Sequence, residues 1–261
     1  MKKLALVILG FWFLVILVSH FLRFNPNLID LNAILKIPNS IYLLGSDDLG
    51  RSLLARLVVG AQTSLLLASL VTVVSIFIGT IVGLFAGFYG GWIDFILMKI
   101  TDIVMAFPGI LLAIALAAVL GAGLGNLIIA LCVTSWVSYA RLTRGQVFSL
   151  RNRQHVQAAA SLGASDTRII FLHILPLLAS ILVVEATYSL ANVIIAEASL
   201  SFLGIGIQAP NASWGAMLRD AVRYILVAPH YVLVVGLSLM SLILAINLGG
   251  DYLRDQLDVK V

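Results

Sequence analysis

Long apolar runs free of charge alternate with short polar segments along this chain, a pattern that predicts helices in hydrocarbon. Residues 4–21 are apolar apart from Ser19 and His20 and follow Lys2 and Lys3. A basic start before an apolar run also marks a signal peptide, but this run is long for one, and no small-x-small cleavage site follows. A retained first helix is expected. The polar stretch 23–56 contains Pro26, Pro38 and the run Gly45-Ser46-Asp47-Asp48, and reads as a loop ending in a short amphipathic segment. No charge then occurs between Arg56 and Asp94, which leaves room for a second helix over 65–88. Gly79, Gly83 and Gly87 fall four apart on it, a spacing of small residues that lets helices approach closely in lipid.

Residues 103–140 carry no charge over 38 positions, whereas one crossing of a ~30 Å core needs roughly 20 apolar residues. The run Gly121-Ala122-Gly123-Leu124-Gly125-Asn126 divides it, so a third and a fourth helix joined by a tight turn are expected. A basic, soluble-looking stretch spans 141–173. A fifth helix is expected over 177–198, a Gly/Pro/Asn-rich loop over 204–215 and a sixth helix over 228–249.

Composition sharpens this picture. Hydrophobic residues make up 61% of 261 and charged residues 11%, with a mean hydropathy of +1.10, too little charge to wet a soluble surface. The pattern therefore predicts an all-α, polytopic membrane protein of about six transmembrane helices. A net charge of +4 raises nucleic acid as a partner, but the bases form no patch interleaved with aromatics. They report topology instead. With the N-terminus in the cytoplasm, ten Lys/Arg fall inside, including Lys2, Lys99, Arg141, Arg144, Arg151, Arg153, Arg168 and Lys260, and six fall outside, including Arg23, Lys36 and Arg219. The positive-inside rule then puts both termini in the cytoplasm. The expected organisation is a first transmembrane helix over 1–22, an extracytoplasmic loop over 23–62, a five-helix core over 63–250 with a cytoplasmic loop at about 145–176, and a tail over 251–261. The single cysteine, Cys132, excludes an intrachain disulfide and a cysteine zinc site.

The cytoplasmic loop is the most informative segment. Gln157-Ala158-Ala159-Ala160-Ser161-Leu162 is strong helix former, Gly163 suits a helix end that needs a left-handed residue, and Ser165 or Asp166 can cap a second helix toward Leu175-Pro176. The product is a short helix, a sharp turn and another helix just outside the membrane. Its small residues let another protein come close, although a plain helical hairpin between spans would share the pattern.

Gln157-Ala158-Ala159, with Gly163 four residues later and then Leu175-Pro176, resembles the EAA loop of binding-protein-dependent ABC permeases. Gln157 stands where that family has Glu, and His173 where it has Ile. Leu44-Gly45-Ser46-Asp47-Asp48-Leu49-Gly50-Arg51 is similar to the external LGTDxLGRD signature of dipeptide, oligopeptide and nickel permeases, with Ser46 and Ser52 for the usual Thr and Asp. Gly90-Gly91-Trp92, Ala106-Phe107-Pro108, Glu197-Ala198-Ser199-Leu200-Ser201-Phe202, Ser213-Trp214-Gly215 and Asn247-Leu248-Gly249-Gly250-Asp251 match in order. The resemblance is to the smaller, C-type permease of a dipeptide-type importer. It implies a type I ABC importer transmembrane fold in a bacterial inner membrane. The implied partners are a second homologous permease, one or two ATP-binding subunits and an extracytoplasmic solute-binding protein. Gln157, Ala158, Ala159, Ser161, Leu162, Gly163 and Ala164 would then dock into the ATPase, and the external loops, with Asp47, Asp48, Arg51 and Trp214, would meet the binding protein. None of the five lysines sits in a phosphate loop, so this chain is expected to be no enzyme and to bind no cofactor, ATP and magnesium belonging to the partner subunits.

Two acids lie in apolar surroundings. Glu185 falls near the middle of the fifth helix and Glu197 near its outer end. A carboxylate there costs several kcal/mol unless wet or paired, about 2.5–3.5 kcal/mol on insertion scales. Glu185 is expected to line a translocation cavity that receives a peptide's positive amino terminus or a cation, the alternative being a structural hydrogen bond. Glu197 is expected to be structural. The four histidines are scattered, so no metal site is expected. A nickel permease of the same family remains an alternative cargo reading. A secondary transporter or channel using Glu185 is a second class, and an intramembrane protease would need a paired or metal motif that is not found.

Overall fold

The computed structural model describes residues 2–22 and 25–257. Arg23 and Lys260, both used in the topology argument, lie outside the described residues, as does the end of the tail from 258. The elements are α1 (Lys2–Leu22), α2 (Leu53–Tyr89), α3 (Gly91–Met105), α4 (Gly109–Leu120), α5 (Leu124–Leu150), α6 (Gln154–Ser161), α7 (Asp166–Arg168), a π-helical segment (Ile169–Ile174), α8 (Leu175–Phe202), α9 (Trp214–Val222) and α10 (Pro229–Gln256). The architecture is all-α, as expected.

Four helical stretches among the described residues are long and apolar enough to cross a bilayer unbroken: Leu53–Tyr89, Leu124–Leu150, Asp166–Phe202 and Pro229–Gln256. The pair α3 and α4 passes the same test only together and is bent by 80°. Helix α1 spans 21 residues, about 31 Å at 1.5 Å per residue, and its apolar stretch Ala5–Val18 is shorter than those of the four unbroken spans. The count is thus four spans plus one broken span, rather than a clear six.

Three expected boundaries shift, each for a physical reason. The second helix begins at Leu53, because Ser52 caps it by accepting from Ala55 N and the amphipathic segment continues into the span without a break. The expected third helix, from 103, is split at Ala106-Phe107-Pro108. Pro108 lacks an N–H and disfavours helical geometry in the residue before it, so α3 stops at Met105 and α4 starts at Gly109. The fourth helix does not end near 140 but runs to Leu150. Its two arginines are neutralised by α3: Arg144 forms a two-pronged pair with Asp94, and Arg141 Nη2 lies 2.5 Å from Asp102 Oδ1. Arg151 then donates to the Gly87 and Phe88 carbonyls at 3.1 Å each, a cation at the negative C-terminal end of α2. Further on, Pro176 removes a helical donor, and the wide π turn preceding it lets Asp166–Phe202 run on as one rod.

The glycine seam does what its spacing predicts. Helices α2 and α5 run parallel: Gly79 faces Trp136 and Tyr139, Gly83 faces Ala140 and Thr143, and Gly87 faces Arg144 and Val147. With no side chain on α2, the two backbones touch, and α5 is held rigidly along most of its length. Two buried clusters follow, one at each end of the bundle. At the α9 end Trp12, Leu57, Trp214, Met217 and Tyr231 pack together; at the α6 end Tyr139, Val147, Leu150, Val156, Ile170 and Ile174 do so.

Glu197 is fully buried and held by hydroxyls. Ser64 Oγ on α2 and Ser201 Oγ on α8 each donate to it at 2.8 Å, and Ser201 Oγ also accepts from Ile207 N at 3.1 Å. This ties α2, α8 and the loop after α8 into one knot, the structural role expected of it. Glu197→Ala leaves two buried hydroxyls without an acceptor and a void. A loss of about 2–4 kcal/mol is expected, measurable as a lower thermal midpoint of the detergent-purified protein. Glu197→Gln, which keeps one carbonyl acceptor, is expected to lose less than half as much.

Candidate functional site

Three places in the fold hold the residues singled out by their chemistry. The first is the hairpin at the α6 end. Helix α6 is short because Gly163 stops it at φ +82°. Ala164 N donates to Ala159 O at 3.1 Å and Gly163 N to Ala160 O at 3.0 Å, the paired bonds of a Schellman turn that satisfy the last carbonyls. Ser165 takes the cap position of the next helix, but its side chain makes no capping bond and instead lies 3.2 Å from Thr167 Oγ1. One residue, Val156, anchors the hairpin in the core beneath, alongside Ile169 and Ile170. Gln157, Ala158, Ser161, Leu162 and Gly163 are exposed, with Ala159 and Ala164 half-buried. Leu162 stands 88% exposed at the tip. A large apolar side chain thus stands at the tip of the turn, beside the exposed Ala158 and Ala160.

The second place is a cleft between α4, α5 and α8. Its volume is about 170 Å³, and its walls include Gly109, Thr134, Ser135, Ser138, Glu185, Ser189 and Asn192. Glu185 is half-buried, whereas Ser138 and Asn192 are exposed. Positions 185, 189 and 192 share one face of α8, and 134, 135 and 138 one face of α5. The break at Pro108 opens this cleft, since α4 begins beside it rather than continuing α3 through it. Ser138, Ser189, Thr134 and Asn192 were not singled out from the sequence. Their signal was there as polar residues at helical spacing in otherwise apolar spans.

The third place is the loop from 25 to 52 together with α9. Here the expected docking residues turn inward. Asp47 is fully buried: its Oδ1 accepts from Leu49 N at 3.0 Å and Arg51 N at 2.8 Å, and its Oδ2 lies 2.6 Å from Arg51 Nε and 3.3 Å from Arg56 Nε. Trp214 is also fully buried. It donates to Leu57 O at 2.9 Å and packs edge-on against Trp12 with ring centres 5.0 Å apart. Asp47, Arg51 and Trp214 therefore offer a partner no surface; they hold the loop and α9 onto α1 and α2 from inside. Asp48 is partly exposed and 3.7 Å from Arg51 Nη2. Burial, and then the Asp47 and Asp220 carboxylates, push its carboxyl above the usual carboxylate range. The outward-facing side chains here include the apolar Ile37, Ile41 and Leu43 on the loop and Leu226 and Val227 after α9, beside the exposed polar Lys36, Asn39, Ser40 and Arg223.

Comparison with known proteins accords with this geometry. The chain is 40% identical over 259 residues to the glutathione transport system permease protein GsiD of Pectobacterium atrosepticum, covering 99% of this chain and 84% of that one. It is 43% identical over 224 residues to the dipeptide transport system permease protein DppC of Alkalihalophilus pseudofirmus, covering 86% and 74%. A solved structure of the MetNI methionine ABC transporter in inward-facing conformations superposes with a TM-score of 0.62 at 20% identity, over 77% of this chain and 96% of that one, a likeness of fold. Residues 79–259 match the family model of the binding-protein-dependent transport system inner membrane component. That stretch contains the α6 hairpin and the Glu185 cleft, and the chain belongs to this family: it is the permease, with ATP hydrolysis left to the ATPase subunits.

Proposed function

We propose that this chain forms half of the translocation pathway of an importer of di- or oligopeptides. It pairs with a second homologous permease, takes its energy from one or two ATP-binding subunits through the α6 hairpin, and receives cargo from a solute-binding protein on the opposite face. The observation that carries the reading is the exposed hairpin, because a rigid Schellman turn with Leu162 at its tip has no use within this chain alone. Peptide cargo is supported by the relatives, which are named as permeases for glutathione and for dipeptides.

In this reading the chain crosses a bacterial inner membrane six times. The first crossing is α1, packed on α10 with Trp12 Nε1 donating to Ser241 Oγ at 3.0 Å, and the third is the broken pair α3 and α4. Both termini and the hairpin at about 145–176 are then cytoplasmic, and the loop 25–52 and α9 are external. The binding protein meets the exposed apolar side chains of those external loops, with Asp47, Arg51 and Trp214 keeping the loops in shape. Glu185 lines the pathway.

The test is purification of the tagged chain in mild detergent, with mass spectrometry of whatever accompanies it stoichiometrically. A phosphate-loop ATPase and a second polytopic chain are expected. A chain that purifies alone and moves solute without ATP would overturn the proposal. Leu162→Asp sharpens the same experiment. It changes only an exposed tip, so folding is expected to be unaffected. Loss of a central apolar anchor typically costs about 2 kcal/mol or more of affinity, so recovery of the ATPase is expected to fall by more than about tenfold.

A further inference from the structure

We infer that the cleft around Glu185 is an ammonium-binding post on the pathway, one that takes the free, positively charged amino end of a cargo molecule. The inference rests on the permease reading above and adds the chemistry that the pathway recognises. Glu185 is the eleventh residue of α8, about 15 Å along the helix from its start, at a depth where a carboxylate is retained only if wet, paired or functional. The contrast with Glu197 on the same helix is direct. Glu197 has two hydroxyl donors; for Glu185 the described residues provide no hydrogen bond and no ion pair, so its carboxylate is not spent on holding helices together. It faces the cleft, whose walls supply further oxygen acceptors from Ser135, Ser138, Ser189, Thr134 and Asn192, and no basic side chain. A primary ammonium brings three donors and no acceptor, and one carboxylate with hydroxyl and amide oxygens around it satisfies all three with a charge-assisted bond at the centre.

Size and donor chemistry narrow the ligand. At about 170 Å³ the cleft is smaller than the roughly 300–1,000 Å³ of a pocket that encloses a whole drug-sized molecule, so it takes one end of the cargo. A transition-metal ion is the other cation to consider. The described residues contain no group of three His, Cys, Asp or Glu able to hold one, and a single carboxylate among hydroxyls lacks the nitrogen or sulfur donors such an ion prefers. The cleft is built for an organic ammonium.

A labelling experiment tests this without the binding protein, whose own selectivity would mask that of the pathway. In the complete transporter, reconstituted in lipid, Ile110→Cys places a reporter thiol at an exposed apolar position of the cleft wall, with Cys132→Ser removing the native one. Its rates with a cationic and an anionic methanethiosulfonate are compared. Charged clefts concentrate counter-ions by roughly 10- to 1,000-fold, so Glu185→Gln is expected to lower the cation-to-anion rate ratio by about tenfold or more, and Glu185→Asp to preserve it. In the parent with Glu185 intact, alanyl-alanine is expected to slow labelling, whereas N-acetyl-alanyl-alanine and nickel chloride are not. An unchanged ratio in Glu185→Gln, equal protection by the two peptides, or protection by nickel would each overturn the inference. The peptide comparison needs no substitution at 185, so a poorly folding Glu185→Gln would not protect the idea. Binding-protein-stimulated ATP hydrolysis by the same vesicles is measured in parallel: its absence sinks the permease reading, and the labelling results sink or sustain only the ammonium post.

Discussion

Gly163→Pro is expected to abolish cargo-stimulated ATP hydrolysis and transport in reconstituted vesicles, while the protein still inserts and accumulates normally. Gly163 sits at φ +82°, and proline is confined near −65°, so the native turn is closed to it. The substitution also removes the N–H that donates to Ala160 O. A cost of order 3 kcal/mol or more lowers the ratio of native to non-native hairpin by more than about a hundredfold. The damage stays local, since Gly163 is exposed and has no side chain or backbone within reach of an added Cβ. Gly163→Ala separates geometry from bulk. It meets no neighbour, and its only penalty is the left-handed backbone, about 1 kcal/mol or roughly fivefold in the native-to-non-native ratio, so activity is expected to fall far less than in Gly163→Pro. Unaltered coupling in Gly163→Pro would remove the hairpin as the route by which ATP closure reaches the membrane helices.

The features legible in the sequence were those that one residue imposes on its own neighbourhood. Gly163 could be placed at the end of a helix because few residues tolerate positive φ there, and Gly79, Gly83 and Gly87 could be placed on a contact face because a four-residue spacing puts them on one side of a helix. What was not legible depended on partners far along the chain. Arg141 and Arg144 looked like the start of a soluble loop until Asp102 and Asp94, 39 and 50 positions earlier, neutralised them. Once paired, they allow α5 to run another two and a half turns. Trp214, beside Arg219 and Asp220, looked like an external contact; its burial depends on Trp12 from the far end of the chain and on Gly60, which leaves room for the indole. The break at Pro108 was signalled locally, but the proline had been read as part of a motif rather than as the end of a helix. That break opens the cleft, and with the cleft unseen, Glu185 stood alone, without Ser189 and Asn192 a turn and two turns away on its own face.

The same reasoning predicts the largest structural effect in the molecule. Gly83→Leu is expected to prevent accumulation of the folded protein in the membrane, and Gly83→Ala to destabilise it measurably. A Cβ on Gly83 would lie 2.5 Å from Ala140 O, 2.6 Å from Thr143 Cβ and 2.9 Å from Arg144 N. Two of these are backbone atoms of α5, which cannot rotate away as a side chain can, so the helices themselves must part. Overpacking of this kind costs about 1–3 kcal/mol for a single methyl, occasionally more, against a total stability of order 5–15 kcal/mol. Separation also travels, because Arg144 beside the clash carries the pair to Asp94 and holds α3 in place. Gly145→Ala is the control. It lies one residue further along α5 with nothing within reach of an added Cβ, and alanine for glycine inside a helix is worth about 1 kcal/mol of stability. Thermal unfolding of the purified variants, followed by loss of monodisperse protein on heating, is expected to order them as Gly145→Ala at or above the parent and Gly83→Ala several degrees below it. Equal midpoints for the two alanine variants would mean that α2 and α5 can slide apart at no cost, and that the glycine seam does not set their spacing.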